Sequence, residues 1–318
     1  MRLRGIGKIL LAVLLTVLMI EIGLRFFLGL GKPALVQADI EMGYRFQPNQ
    51  KTRRFGNWIE YNQYSQRSEP IEIEKKAGVL RVLMLGDSVL NGGNRTDQME
   101  TISEQLEIQL KEKGKETEVL NASANSWGIG NQLGYLQKFG TFNADAIILQ
   151  IGTHDLLQPT SQGKNLYPIE YPSSAIAELF QRYLIPRISY FMRGKVTLAN
   201  ENLDLQFKDN LQSLQAIAAL TQENNIPLVV VYTPSREDVL PIPNDPAYKS
   251  QFFQVLQESK IAAIDIHNAW SKLPPEMVKS YFVDWAHLTP EGQRSVAELV
   301  FKNLGGLGDR TVGHYMNF

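Results

Sequence analysis

From about residue 79 to residue 304, short apolar runs alternate with longer amphipathic segments along the chain. The apolar runs have the length of strands buried on both faces, and they fall at residues 79–85, 119–122, 144–151, 227–232 and 261–266. The amphipathic segments have helical spacing, and they fall at residues 101–113, 131–139, 202–224, 248–259 and 290–304. Strands that alternate with helices predict an α/β fold: a three-layer α/β/α sandwich around a doubly wound, five-stranded parallel sheet.

Residues 1–31 differ in pattern from the rest of the chain and predict a membrane anchor. Their apolar stretch is interrupted by Glu21 and Arg25, which lie four residues apart and so share one face of a helix, where they can pair. A helix over residues 9–30 is about 33 Å long, which is enough to span a bilayer. No small-x-small cleavage site follows Ile20, which favours a retained anchor. A cleaved signal peptide and a buried helix are the alternatives.

Charged residues around the apolar stretch predict its orientation. Arg2, Arg4 and Lys8 precede it, so the positive-inside rule places the N-terminus in the cytoplasm. Arg25 and Lys32 follow it and weaken this bias. We therefore expect a single-pass membrane protein whose globular part is periplasmic or extracellular.

Three further segments flank or interrupt the α/β domain, whose predicted bounds are residues 79–306. Residues 32–78 form a basic connector with local order and many aromatic side chains, which are expected to pack on the domain; contact of some of them with the membrane surface is the alternative. Residues 156–200 have no clear period, and a long insertion after the third strand lies at the edge of the sheet where open α/β folds bind ligands. Residues 307–318 form a polar tail.

The composition argues against several classes of function. The formal net charge is −1 and no long basic run is present, so nucleic acid is not an expected partner. Cysteine is absent, which excludes disulfides, thiolate nucleophiles and cysteine-bound metals. The linear sequence has no evident cluster of metal ligands, and we expect neither a metal nor a cofactor.

Two polar motifs contain the residue types of serine catalysis. Ser88 follows the first strand on a Gly86-Asp87-Ser88 turn, which exposes it at the edge of the sheet. A serine nucleophile needs a base and a group that orients the base. Asp284 stands three residues before His287, close enough to reach its Nδ1 and leave Nε2 facing the serine. Each motif alone is weak, and their joint occurrence indicates a Ser-His-Asp triad.

Two more motifs follow the second and third strands. They are residues 121–128 and the sequence Gly152-Thr153-His154-Asp155. Because the carboxyl ends of parallel strands meet at one edge of a sheet, we expect all the motifs to converge there. Two other histidines are not part of them: His267 is expected on the surface and His314 in the polar tail.

From about residue 80 to residue 304, this order of motifs resembles the SGNH (GDSL-type) hydrolase family. The resemblance implies a flavodoxin-like fold. It also implies that Ser88 is the nucleophile, that its backbone N–H is one oxyanion donor, that His287 is the base and that Asp284 orients the base.

The second and third motifs would complete the oxyanion hole. The resemblance implies a backbone N–H donor at Ser126, or at Gly128 if the loop is shifted. The family's third motif normally reads Gly-x-Asn-Asp with the asparagine as a donor, whereas His154 stands at that place here. A neutral imidazole can donate one N–H in this role. Contact with a negatively charged substrate and reduced activity are the alternatives for His154. The residues expected to support these loops are Asp87, Gly152 and Asp155.

The resemblance implies a serine ester hydrolase that acts on an acyl or acetyl ester, with a glycan or a lipid as candidate substrate, and the predicted anchor places it at the cell envelope. An O-acyltransferase that modifies a surface polysaccharide would use the same triad, and aromatic side chains of residues 156–200 would then stack on sugar rings or pack on a lipid chain. Simple packing of a long loop is the plainer interpretation of those aromatics. A degenerate family member would bind an envelope glycan or an assembly partner. His154 favours that reading, and retention of the triad argues against it.

Overall fold

The computed structural model describes residues 2–163, 166–188 and 202–306. Strands β5 to β9 form one parallel sheet in the order β6-β5-β7-β8-β9, which confirms the predicted five-stranded sheet. The strands in chain order are β1 Val36–Asp39, β2 Gly43–Phe46, β3 Gln50–Arg54, β4 Asn57–Tyr61, β5 Leu80–Gly86, β6 Thr117–Ser123, β7 Ala146–Gly152, β8 Leu228–Thr233 and β9 Ala262–Asp265.

Helices cover both faces of this sheet and give the three predicted layers. The helices are α1 Arg2–Leu28, α2 Ser88–Asn91, α3 Ile102–Glu112, α4 Ile129–Phe139 and α5 Ala175–Glu178, followed by Leu203–Glu223, Arg236–Val239, Lys249–Glu258, Ile266–Trp270, Pro275–Ser280 and Pro290–Gly306. One face of the sheet packs on α4 and Leu203–Glu223, and the other on α3 and Pro290–Gly306. Because both faces are covered, the strands are apolar throughout rather than alternating.

The segment before the sheet is more ordered than a connector. Strands β1 and β2 form one antiparallel hairpin, and β3 and β4 form another. Tyr44, Phe46, Ile59 and Tyr61 are buried in the same apolar core as one face of the sheet. The aromatic side chains of this segment therefore pack on the domain, apart from Phe55 and Trp58 on the surface.

Helix α1 is the one candidate membrane span that the described part of the chain contains. Its residues Gly5–Leu28 are long and apolar enough to cross a bilayer, and its most apolar window is not covered by the rest of the protein. A signal sequence has the same length and composition, so the helix alone fixes neither retention nor orientation.

A buried ion pair joins the β3–β4 hairpin to the insertion that the sequence places after the third strand. The guanidinium of Arg54 bonds both carboxylate oxygens of Glu178, and both side chains are completely buried. The second partner of Glu178 is the backbone N–H of Gly31, at 2.6 Å. Removing one member of such a pair leaves an uncompensated charge in the interior.

Replacing Arg54 by methionine should therefore lower the free energy of unfolding by about 3–5 kcal/mol. The double variant Arg54→Met/Glu178→Met should recover most of this loss, because no charge is then left buried. Denaturant unfolding of the full chain in detergent micelles measures both values. Lys51→Met is the matched control, because the side chain of Lys51 in its pair with Glu60 is exposed to solvent. This pair should contribute at most about 1 kcal/mol to the free energy of unfolding. Equal losses in the single and double variants would contradict the prediction.

Candidate active site

The turn that carries Ser88 is fixed by close packing at the end of β5. A Cβ on Gly86 would lie 2.5 Å from Oε1 of Gln150 and 2.9 Å from Cβ of Leu90, so a side chain does not fit there. The next residue, Asp87, caps helix α2 because its Oδ1 accepts the backbone N–H of Val89 at 2.7 Å. Ser88 thus occupies the first position of α2, at the carboxyl end of β5.

The structure brings Ser88, His287 and Asp284 into one hydrogen-bonded chain. Nε2 of His287 lies 3.0 Å from Oγ of Ser88. Nδ1 of the same ring lies 2.9 Å from each carboxylate oxygen of Asp284. Although Ser88 and His287 are 199 residues apart in sequence, the fold brings the serine, the histidine and the aspartate into the order that a nucleophile, its base and an orienting carboxylate require.

The backbone around Asp284 keeps this carboxylate ionised. Partial burial would raise its pKa, but the backbone N–H groups of His287 and Ala286 and the imidazole of His287 together hold the pKa below its ordinary value. An ionised Asp284 accepts a hydrogen bond from the N–H at Nδ1, which leaves the lone pair of Nε2 directed at the hydroxyl of Ser88. The arrangement can therefore remove a proton from Ser88.

Two backbone N–H groups are available beside Ser88. Among the described residues, the N–H groups of Ser88 and Ser126 have no protein acceptor, and both residues line the same cavity. Ser126 has φ = 59°, a left-handed conformation that favours glycine. The N–H of Gly128 is instead bound to Oδ1 of Asn131 at 2.8 Å. This geometry favours Ser126 over the alternative, Gly128, as the donor from this loop.

The structure gives His154 a different partner from the one expected. Its Nε2 lies 2.7 Å from Oδ2 of Asp87, and its Nδ1 is buried without a hydrogen-bond partner. The edge of its ring packs against Trp285, with centroids 5.0 Å apart. The side chain lines the cavity, but both ring nitrogens are turned into the protein. Direct donation to an oxyanion would require this ring to leave Asp87.

Asp87, His154 and Asp155 form a buried polar cluster under the nucleophile turn. Their ligating atoms lie within 4.8 Å of one another, a grouping that metal sites share and that the linear sequence does not reveal. Asp87 and His154 already engage each other, and Oδ2 of Asp155 accepts the N–H of Gly152 at 2.7 Å. The cluster as it stands is a hydrogen-bonded ion pair beside a carboxyl group.

The two carboxyl groups determine the charge of this imidazole. Burial alone would lower the pKa of His154, but the charge of Asp155 and the hydrogen bond to Asp87 outweigh it and raise the pKa to about 9. Burial and the charge of Asp87 raise the pKa of Asp155 to about 8. His154 is therefore a cation near neutral pH, and its charge offsets that of Asp87.

The cavity above Ser88 has a volume of about 410 Å³ and an aromatic wall. Phe55 comes from the β3–β4 hairpin, Tyr167 and Tyr183 from the insertion, and Trp285 from the loop of the triad. A second cleft of about 590 Å³ lies on the other side of Asp284 and Trp285. Because Ser88 lines only the first cavity, we assign the site to it.

Several supporting residues were not identified from the sequence. Gln150 accepts a hydrogen bond from the N–H of Asp87 at 3.2 Å and donates one to Oγ1 of Thr233 at 2.9 Å. The sequence feature that could have identified it is its place as a lone polar residue in an otherwise apolar strand. Tyr167 bonds Oγ of Ser126 at 2.8 Å. Arg67 is buried and donates to three backbone carbonyls, at Asn91, the last residue of α2, and at Gly93 and Thr96 in the loop that follows.

The remaining histidines lie away from the triad or outside the described residues. The expectation that His267 is a surface residue is wrong, because its side chain is buried. Its Nδ1 lies 2.6 Å from Nζ of Lys249 and its Nε2 lies 3.2 Å from the carbonyl of Asp238. His314 lies outside the described residues.

Residues 84–295 match the GDSL-like lipase/acylhydrolase family. The match covers most of the chain and includes every residue of the hydrogen-bonded chain above, so the protein belongs to this family. It is accordingly an enzyme that hydrolyses ester bonds. No curated protein matches the chain.

Several solved structures align with this chain at low sequence identity. A lipase/acylhydrolase from Enterococcus faecalis is 14% identical, with a TM-score of 0.45 over 71% of this chain and 96% of its own. The psychrotrophic esterase EstA from Pseudoalteromonas sp. is 14% identical, with a TM-score of 0.43 over 71% of this chain and 97% of its own. A two-domain esterase active on acetylated mannans is 12% identical, with a TM-score of 0.45 over 73% of this chain and 50% of its own.

The ion pair of His154 predicts an unusual titration. In NMR spectra of histidine-labelled protein, the imidazole of His154 should titrate near pH 9, and Asp87→Asn should lower this midpoint by about one to three pH units. Asp209→Asn removes an exposed carboxylate from another helix and should leave it unchanged. Because the pKa in the folded state is raised, the stabilisation from the cation is complete below the ordinary histidine pKa and is lost as the pH rises through about 9. A midpoint near 6.5 in the unmodified protein would contradict the ion pair.

Proposed function

We propose that the protein is a membrane-anchored serine esterase that uses Ser88, His287 and Asp284 to cleave an acyl or acetyl ester at the cell envelope. The observation that carries the proposal is the unbroken hydrogen-bonded chain from Oγ of Ser88 through His287 to Asp284. The chain lies at the floor of an open cavity, where an ester carbonyl can approach Oγ.

In the first half-reaction, Nε2 of His287 accepts the hydroxyl proton of Ser88 while Oγ attacks the carbonyl carbon. The negative charge that develops on the carbonyl oxygen is stabilised by the N–H groups of Ser88 and Ser126. When the tetrahedral intermediate collapses, the ester C–O bond breaks and His287 gives its proton to the leaving alcohol. Asp284 stabilises the imidazolium in between.

In the second half-reaction, a water molecule replaces the alcohol. His287 removes a proton from this water, whose oxygen attacks the acyl carbon. Collapse of the second tetrahedral intermediate breaks the bond to Oγ, and the proton on His287 returns to Ser88. The products are one carboxylic acid and one alcohol, and no step requires a metal or cofactor.

We assign His154 an electrostatic role in place of the family's asparagine. As a cation hydrogen-bonded to Asp87, it holds the turn of Ser88 and offsets the negative charge of Asp87 beside the cavity, without a direct bond to the oxyanion. Fixed charges near the reacting atoms stabilise a developing oxyanion most when water is excluded. Trp285 packs on the His154 ring and limits access of water to it.

We also propose that α1 is retained and holds the domain on the outer side of the membrane, as the positive charge of its first turns favours. The end of the helix is part of the folded structure. The N–H of Phe55 donates to the carbonyl of Leu28 at 3.0 Å, and Arg54 bonds the carbonyl of Gly29. Cleavage after Leu28 or Gly29 would remove backbone acceptors that the β3–β4 hairpin uses.

An O-acyltransferase that modifies a surface polysaccharide is the second candidate, and the aromatic cavity favours it. The rings of Phe55, Tyr167, Tyr183 and Trp285 face the same space as Ser88. Aromatic faces of this kind can stack on sugar rings, so that a sugar hydroxyl would occupy the position of the attacking water. The chemistry at Ser88 is the same in both candidates.

The full-length protein should react with a fluorophosphonate probe and hydrolyse short-chain p-nitrophenyl esters. Ser88→Ala should abolish labelling and lower kcat by on the order of 10⁴- to 10⁶-fold, since the nucleophile is lost. Ser250→Ala is the matched control, because Ser250 is exposed on another helix. Labelling that persists in Ser88→Ala would contradict the assignment. A folded protein with neither labelling nor turnover would favour a binding module that has lost catalysis.

Product analysis separates the esterase from the transferase. The enzyme is incubated with an activated acetyl ester, with and without an oligosaccharide, and the acetylated sugar and free acetate are quantified. We expect acetate to be the main product in both reactions. Acetylated sugar as the main product, absent in Ser88→Ala, would make the transferase the function.

A further inference from the structure

The end of helix α1 is bound along its side to the insertion. The carboxylate of Glu21 accepts the backbone N–H groups of Ala175 at 2.8 Å and Ile176 at 3.0 Å, which are the first residues of α5. Arg25 donates to the same carboxylate at 2.7 Å. Helix α5 of the insertion therefore begins beside Glu21 of α1, which lies well before the end of α1 at Leu28.

The position of Glu21 along the span places this contact within the bilayer. With Leu28 at the outer boundary of the hydrocarbon, Glu21 lies about 10 Å below it at roughly 1.5 Å per residue. If Lys8 is placed at the inner boundary of the hydrocarbon instead, Glu21 lies about 20 Å from that boundary along the helix. The hydrocarbon layer is roughly 30 Å thick, so Glu21 is again about 10 Å from the outer boundary. Both placements bring the start of α5 to the same depth.

Polar groups at this depth must hydrogen-bond to one another, because no water is present to bond them. A carboxylate within a bilayer is tolerated when it is paired, and backbone N–H groups at a helix start need acceptors there. Glu21 supplies the acceptor for two N–H groups of α5, while α5 and Arg25 supply the donors for Glu21. This reciprocal pairing fits a lipid environment, where water is not present to compete for either partner.

The surface that follows α5 is apolar and faces outward. The helical conformation continues to residue 188 through a π-helix at Leu179–Leu184. Phe180, Ile185 and Ile188 are 52%, 55% and 58% exposed, so about half of each large side chain is uncovered by protein. An exposed apolar patch next to a membrane span is a site for lipid contact.

Helix α1 also exposes large apolar side chains, and the segment after α5 carries basic residues. Phe26 and Phe27, near the outer end of the span, are 69% and 71% exposed. Arg182 and Arg187 lie on the helical segment, where long basic side chains can reach lipid phosphates while their stems stay on apolar surface. Exposed apolar side chains thus occur both on the outer end of α1 and on the segment after α5, and α5 is hydrogen-bonded to α1 through Glu21.

We propose that residues 169–188 form a second membrane-contacting element, which lies in the outer part of the bilayer beside α1. Its partner is the lipid layer itself. Tyr183 belongs to this element and lines the cavity of Ser88, where its ring meets that of Phe55 with centroids 5.7 Å apart. The mouth of the cavity therefore lies next to the lipid surface. The contact goes beyond the proposed catalytic function and does not depend on it.

Depth measurements on single-cysteine variants test the proposal, because the chain has no cysteine of its own. The full chain is placed in nanodiscs of phosphatidylcholine and phosphatidylglycerol, and an NBD fluorophore is attached to Phe180→Cys, Ile185→Cys or Ile188→Cys. Lipids that carry a nitroxide near the headgroup should quench all three labels, at a depth of about 5–10 Å. Met19→Cys, within the span, should be quenched by nitroxides placed deeper in the acyl chain.

Ile73→Cys is the matched control. Ile73 is 51% exposed, much like the three test positions, and its carbonyl bonds Arg81 near the start of β5, at the edge of the sheet opposite Ser88. Its label should not be quenched. Circular dichroism of each variant reports its fold independently.

Two outcomes would overturn the proposal. Labels at Phe180, Ile185 and Ile188 that behave like the one at Ile73, while Met19 is quenched, would mean that the patch is exposed to water or covered by a protein, including a second copy of this chain. An unquenched label at Met19 would remove the membrane span on which the proposal rests. Fluorophosphonate labelling of Ser88 in the same nanodiscs reports on the catalytic function separately from either outcome.

Discussion

The candidate site depends on the pairing of β5 with a parallel strand on each side. In this register Leu85 lies opposite both Ala122 of β6 and Leu149 of β7. The loops that leave β5, β6 and β7 therefore begin at one level of the same edge, and they carry Ser88, Ser126 and His154. A shift of one residue would turn the strand side chains to the opposite face of the sheet and separate these loops.

The loop of His287 reaches this edge from a different part of the chain and needs its own support. The N–H of Val283 donates to the carbonyl of His287 at 2.8 Å, and the N–H of Arg236 donates to the carbonyl of Trp285 at 2.8 Å. The loop therefore has a hydrogen bond between its own two ends and another to the first residue of the helix that follows β8. This explains how one short motif can present both base and carboxylate at a fixed distance from Ser88.

The sequence was sufficient for the features that depend on local pattern. The five strands were predicted to within one or two residues of their observed ends, because each is an apolar run bounded by polar turns. The pairing of Asp284 with His287 was also local, at a spacing of three residues. The remaining requirement was that this pair lie next to the turn of Ser88. That position was expected because loops at the carboxyl ends of parallel strands meet at one edge of the sheet.

Features that depend on distant contacts did not follow from the sequence. Asp87 and His154 are 67 residues apart, and no local pattern links a carboxylate in one turn to an imidazole in another. The hairpins before the sheet were missed as strands because they are only four or five residues long and bury their aromatic side chains against a core formed later in the chain. The burial of His267 was not predicted for the same reason, because its contacts are with Lys249 and Asp238, which are distant in sequence.

The contacts between α1 and the domain bear on which substrates can reach Ser88. A span joined by a flexible linker would leave the catalytic domain free to rotate and to move away from the membrane. Here Arg54 joins the end of α1 to Glu178 of the insertion, and the adjacent Phe55 lines the cavity. On the proposal that α1 is retained as a membrane span, these contacts would set the distance from the membrane to Ser88. A substrate would then have to present its ester close to the lipid surface, and a lipid, or a polymer held near the membrane, would fit this geometry better than a freely diffusing ester.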